Sequence, residues 1–142
     1  MKRILVATDG SDGGDRAVDA AAKLAQATDA ALVILTVGGS VTGAELRRLA
    51  DAGGDLSRTL EARADRVLKQ AAKRAKQFDV APAALRCEWG DPAEAIIDVA
   101  RREKIDAIVV GRRGGGRLSR LLMGSVSQKV ASLAACTVVV VP

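Results

Sequence analysis

Between Val109 and Gln128 the chain reads VVGRRGGGRLSRLLMGSVSQ, a stretch with five glycines, four arginines and a Gly-Ser pair at positions 124 and 125. Glycines allow sharp turns and let backbone N–H groups come close to a ligand. Arg112, Arg113, Arg117 and Arg120 carry guanidinium groups suited to bidentate contact with phosphate oxygens. Gly124 and Ser125 stand at the expected mouth of a helix, where unpaired N–H donors and the positive end of the helix dipole attract anions. Ser125 is expected to cap that helix, with Gln128 completing an S-x-x-Q capping box, and still to offer its hydroxyl to a phosphate. Recognition of a polyanion is the chemistry these types suit. The competing explanation is a surface loop whose arginines serve solubility. Neither G-x-x-x-x-G-K-[ST] nor a G-x-G-x-x-G after the first strand is present, so the usual phosphate and dinucleotide loops are excluded.

Other chemistry is limited by composition. The 142 residues include no histidine, which rules out histidine metal sites and every scheme that needs an imidazole base. Cys87 and Cys136 lie far apart in apolar surroundings, match no metal-ligand spacing, and are expected to fill core space as thiols. Asp9, in TDGSDGG, is a candidate ligand contact and equally a residue that orders its own turn. Asp12 is expected to cap the first helix, and Asp91 the helix that follows it in DPAEAIIDVARREK. A net charge of +5 with one Phe, one Trp and no Tyr offers no stacking platform for bases, so nucleic acid is a poor candidate partner.

These residues must be positioned by short elements. Apolar runs at Ile4–Thr8, Ala31–Val37, Ala83–Trp89, Ala107–Gly111 and Thr137–Val141 predict five strands. Four of them are nearly continuous, as in a parallel sheet covered on both faces, while the third alternates and is expected near an edge. Helical patterns fall at Asp15–Ala27, Ala44–Gln77 (interrupted at Gly53-Gly54), from Asp91 onward, and Ser125–Ala135. The alternation implies an α/β fold with right-handed crossovers and helices on both faces, in a single domain spanning residues 1–142. In such sheets the ligand crevice lies outside the carboxyl ends of the strands. The glycine-rich segment Gly38–Asp55 is expected to be the most mobile part, and Trp89 either rims the crevice or joins the core. No apolar run is long enough for a signal or a membrane span, so the cytoplasm is the expected location.

Gly111, Gly114, Gly124 and Ser125 together spell G-2x-G-9x-G-S, a pattern that resembles the ATP-binding members of the universal stress protein family. ILVATDGSD, GDPAEAIIDVA and TVVVVP are similar to other parts of that family, so the resemblance covers the whole chain. It implies a Rossmann-like, adenine nucleotide alpha hydrolase-like sheet in the order 3-2-1-4-5, with ATP across the gap between strands one and four. By the same resemblance Ala7, Thr8 and Asp9 would sit near adenine and ribose, Val37 would line the adenine pocket, and Val110 and Gly111 would approach the ribose. Arg112, Gly114, Gly124, Ser125 and Val126 would hold the phosphates, mainly through N–H groups. Ala7 replaces a proline common in the family's ATP binders, and Arg112-Arg113 replace small or polar residues.

The resulting expectation is a nucleotide-binding regulator of stress physiology, pairing as a homodimer through Thr137–Val141. Magnesium could accompany ATP, with Asp9 or Asp12 helping to hold it, yet no dedicated base for fast phosphoryl transfer is present. Slow hydrolysis or autophosphorylation, for example at Ser119, stays open. Two other classes compete: an adenylate-forming enzyme, which the missing H-x-G-H and poor S-G-G-x-D-S match disfavour, and a nucleotide-free dimeric interaction module.

Overall fold

In the computed structural model the described residues are 1–38, 47, 48, 51, 55–113 and 123–142. Gly114, Ser119, Arg117, Arg120 and most of the Gly38–Asp55 segment therefore lie outside them. Five strands alternate with four described helices: β1 (Arg3–Ala7), α1 (Asp12–Thr28), β2 (Ala31–Val37), α2 (Leu56–Lys76), β3 (Ala84–Glu88), α3 (Pro92–Arg102), β4 (Ala107–Gly111), α4 (Ser125–Leu133) and β5 (Thr137–Val141). All strand pairings are parallel, in the order β3-β2-β1-β4-β5. The alternating third run is indeed an edge strand.

Strand side chains point alternately to the two faces, and each face builds its own core. Ile4 and Val6 of β1 join Leu32, Ile34, Val18, Ala22 and Ala71 under α1 and α2. Leu5 joins Val33, Leu35, Ile108, Ile96, Val99 and Val130 under α3 and α4. Each fully buried aliphatic side chain contributes about 1.5–3 kcal/mol by leaving water, so the central strands hold the frame rigid.

Helix starts explain where the loops end. α1 is capped by Ser11, whose hydroxyl accepts from Gly14 N–H at 3.1 Å. The expected cap, Asp12, is the first helical residue instead. Ser11 has the extended backbone a cap needs (ψ 169°), and the acid beside it still favours the helix's positive end. Asp91 caps α3 as expected, accepting from Glu94 N–H at 2.9 Å, with Pro92 in the first turn. That hydrogen bond and nearby Lys129 hold the Asp91 carboxyl below the usual carboxylate range.

The cysteines are not both core fillers. Cys87 is exposed on β3 and Cys136 is only partly covered just before β5. Their apolar neighbours in sequence belong to edge strands, which lack a flanking strand on one side. Burial raises both thiols above their ordinary value, with the carboxylates of Glu88 and Glu61 adding to the effect at Cys87.

Candidate functional site

Strand order reverses between β1 and β4: from β1 the chain runs outward to β2 and β3, then returns across to β4. Outside the carboxyl ends at that reversal lies a cleft of about 170 Å³. Apolar walls come from Ala7, Val37, Ile96, Val110 and Val126, and polar groups from Thr8, Asp9 and Arg113. A cavity of about 150 Å³ accommodates one benzene ring, so the enclosed part suits one flat ring system rather than a whole nucleotide.

The loop after β1 is fixed by its own short hydrogen bonds. Thr8 N–H donates to Leu35 O at 2.9 Å, extending the β1–β2 ladder by one rung. Thr8 Oγ1 then accepts from Gly10 N–H (3.1 Å) and Asp9 Oδ1 accepts from Ser11 N–H (2.9 Å). Gly10 supplies the φ of +81° that the turn requires. Asp9 thus orders its own turn while lining the cleft, so the two roles weighed for it are compatible.

The start of α1 is pressed against both neighbouring strand ends. A Cβ on Gly14 would lie 2.5 Å from Thr8 Oγ1, and one on Gly111 would lie 2.9 Å from Gly13 O. Only bare backbone permits this approach, which closes the wall between β1 and β4.

At the other wall, the main chain of Arg112 works as a clamp. Its N–H donates to Val141 O at 2.7 Å, and its carbonyl accepts from Gly124 N–H at 2.7 Å. The Ser127 hydroxyl lies 2.8 Å from the same carbonyl and 3.0 Å from Gly124 O, one donor placed between two acceptors. The mouth of α4 is thereby tied to the end of β4. Its N-cap is Gly124 rather than Ser125, and among the described residues no side-chain capping hydrogen bond is made there. Gly124 holds the extended backbone of a cap (φ −67°, ψ 160°), which places Ser125 one position inside the helix. The S-x-x-Q box is therefore absent, and the helix end keeps its N–H donors clear of a serine hydroxyl.

Of the residues singled out from the sequence, Ala7, Thr8, Asp9, Val37, Val110, Gly111 and Val126 line the cleft together. Gly124 and Ser125 stand beside Val126 at the helix mouth without lining the enclosed part. Arg113, not Arg112, is the arginine of the pair in the cleft wall. Arg112 Nε is buried with no hydrogen-bond partner among the described residues. Gly14, Pro92 and Ile96 also line the cleft and were not singled out. Pro92 was legible as the start of a helix, but not as a wall. Trp89 is in neither the core nor this lining; its half-exposed ring lies against Gly38. Among the described residues no group of three His, Cys, Asp or Glu side chains could hold a metal.

A model described as the universal stress protein family matches residues 1–142. The chain belongs to the universal stress protein family. It is 33% identical over 147 residues to the universal stress protein YxiE of Bacillus subtilis, covering 99% of each chain. A universal stress protein of Thermus aquaticus is 37% identical over 143 residues, covering 99% of this chain and 98% of the relative. Among solved structures, a universal stress protein in complex with cAMP superposes with a TM-score of 0.75 at 30% identity, covering 99% of this chain and 95% of that one. No described helix of this universal stress protein is long and apolar enough to cross a membrane.

Proposed function

We propose that this universal stress protein binds an adenine nucleotide, ATP in the first instance, and serves as a nucleotide-dependent regulator in stress physiology. One observation carries the reading: an apolar cleft at the β1–β4 reversal ends at a helix mouth whose N-cap is a glycine, with no side-chain cap among the described residues. The base lies between Val37, Ile96 and Val110, with Asp9 accepting from a ribose hydroxyl or the base. Ribose follows the Val110–Gly111 backbone, and the phosphates extend toward the N–H groups of Gly124, Ser125 and Val126, with Gly114 and an arginine of the pair beside them. A related structure at 30% identity holding cAMP supports the ligand class.

Regulation is favoured over fast catalysis. Phosphoryl transfer needs a metal-holding acid and a base positioned on the nucleophile. The carboxylate in the cleft lining, Asp9, is committed to Ser11 N–H through one oxygen. Equilibrium titration with labelled ATP is expected to saturate well below millimolar. ATP at about 100 times its dissociation constant should then stabilise the protein by about 2.7 kcal/mol. No saturable binding below about millimolar, with an unmoved melting midpoint, rejects the proposal and leaves the nucleotide-free interaction module.

The proposal includes pairing of two copies through β5. Its four valines are half-covered, and among the described residues it pairs on one side only, with β4. An exposed valine edge is costly in water, and antiparallel pairing about a two-fold axis would cover it. Val139→Asp, which puts a charge in the middle of that strand, is expected to break the β5 contact and lower the sedimenting mass below that of the parent at micromolar concentration. A wild-type chain that sediments only as monomer would contradict this pairing.

A further inference from the structure

The opposite edge of the sheet, β3, carries its own pattern. Gly38 N–H donates to Glu88 O at 2.8 Å, so the main-chain groups of Glu88 and, by alternation, Arg86 and Ala84 turn toward β2. The N–H and C=O groups of Leu85 and Cys87 consequently face the open edge. Side chains alternate as well. Arg86 and Glu88 point to the α3 side, where Arg86 Nε meets Glu103 at 3.2 Å and Glu88 meets Arg102 at 2.8 Å. Leu85, Cys87 and Trp89 fall on the other side, with Leu85 40% and Trp89 48% exposed and Cys87 exposed too. Among the described residues no strand pairs with the outer edge of β3, and three neighbouring, largely exposed apolar side chains along such an edge are a liability unless something covers them.

Only one two-fold register between two such edges satisfies both patterns. Centred on Arg86 it would set Arg86 against Arg86, and centred on Glu88 it would set two carboxylates together. A centre at Leu85 would leave Arg86 facing Ala84 and Glu88 facing Pro82. Centred on Cys87, Arg86 lies opposite Glu88 of the other copy, twice by symmetry. Leu85 then lies opposite Trp89, and Cys87 faces itself. The open N–H and C=O groups of Cys87 and Leu85 fall at the hydrogen-bonded positions of that antiparallel ladder. The charges would join the existing pairs into a row running Glu103, Arg86, Glu88, Arg102 across the two copies.

We infer that the β3 edge is a self-complementary docking surface for a second copy of this chain, in the antiparallel register centred on Cys87. The inference stands apart from the nucleotide cleft and from the β5 pairing. Hydrogen-bonded antiparallel partners have Cα atoms about 5.5 Å apart, within the span of a disulfide, so the thiols report on the register. The test uses the full chain in a Cys136→Ser background at mildly alkaline pH, with diamide as oxidant. Two Cys87 thiols lose two protons and two electrons, which reduce the diazene of diamide to its hydrazine.

A non-reducing denaturing gel then counts β3 contacts alone, since β5 pairing leaves no covalent bond. The parent is expected to form covalent dimer readily at micromolar concentration. Arg86→Glu and Glu88→Arg each put two like-charged pairs across the two-fold and should slow cross-linking about tenfold. An equimolar mixture of the two variants restores both attractive pairs, and should cross-link within about twofold of the parent as a heterodimer. Equal rates in parent, variants and mixture would overturn the inference. As a second readout on the unaltered chain, emission of Trp89, its only tryptophan, should shift red on dilution as the interface opens. A concentration-independent spectrum would overturn it too.

Discussion

Gly14→Ala is expected to lower the melting midpoint by roughly 4–8 °C, although the same change in an open helix raises stability by about 1 kcal/mol. The inversion follows from what surrounds the position. A Cβ there would lie 2.5 Å from Thr8 Oγ1, 3.0 Å from Asp9 Oδ1 and 3.2 Å from Asp9 N. None of these atoms is the loose end of a flexible side chain. Thr8 is buried and bonded to Leu35 O and Gly10 N–H, and Asp9 is bonded to Ser11 N–H. Relief requires α1 to move off β1 or the turn to open, an overpacking cost of about 1–3 kcal/mol. Since Thr8, Asp9 and Gly14 all line the cleft, nucleotide affinity should fall with stability. Thermal unfolding with and without ATP checks both, and a midpoint equal to or above the parent's would show that the packing is looser than described.

Much of the fold was legible because burial leaves a plain mark on composition. The apolar runs at Ala31–Val37, Ala107–Gly111 and Thr137–Val141 coincide with strands residue for residue. Their continuity follows from helices on both faces of the sheet. Where the pattern weakened, at residues 83–89, the strand lies at an edge and is largely exposed. The same edge location exposes Cys87, because apolar neighbours along a strand say nothing about a missing strand beside it. Capping was legible at Asp91, where Pro92 and Glu94 agree on one start. At α1 and α4 the choice fell between adjacent residues, and the cap went to whichever held extended backbone: Ser11 over Asp12, Gly124 over Ser125.

The cleft was legible in part. Val37, Val110 and Gly111, named through the family resemblance, lie at strand ends, where the direction of the sheet also puts the crevice. Others depend on contacts between distant segments, which one sequence does not reveal. Gly14 lines the cleft because α1 presses against Thr8, and Ile96 because α3 crosses the sheet at that height. Choosing between Arg112 and Arg113 required the clamp itself. The Arg112 main chain is held between Val141 and Gly124, and it is Arg113 that lines the cleft.

Everything assigned to the phosphates depends on main-chain donors at the mouth of α4, and Ser125→Pro isolates one of them. Proline is well accepted in the first position of a helix, where its missing N–H has no intrahelical partner. The preceding Gly124 already holds the extended backbone that a following proline demands (φ −67°, ψ 160°). The substitution therefore deletes a donor while leaving the helix in place. One hydrogen bond to a charged group contributes about 1.5–3 kcal/mol, or roughly 10- to 100-fold in affinity. Calorimetric titration of parent and Ser125→Pro proteins with ATP and with adenosine is the most direct measurement. ATP affinity is expected to fall by that factor, while adenosine, which has no phosphates, binds both proteins within about twofold. Unchanged ATP affinity, or an equal loss for both ligands, would show that the phosphates do not rest on this helix.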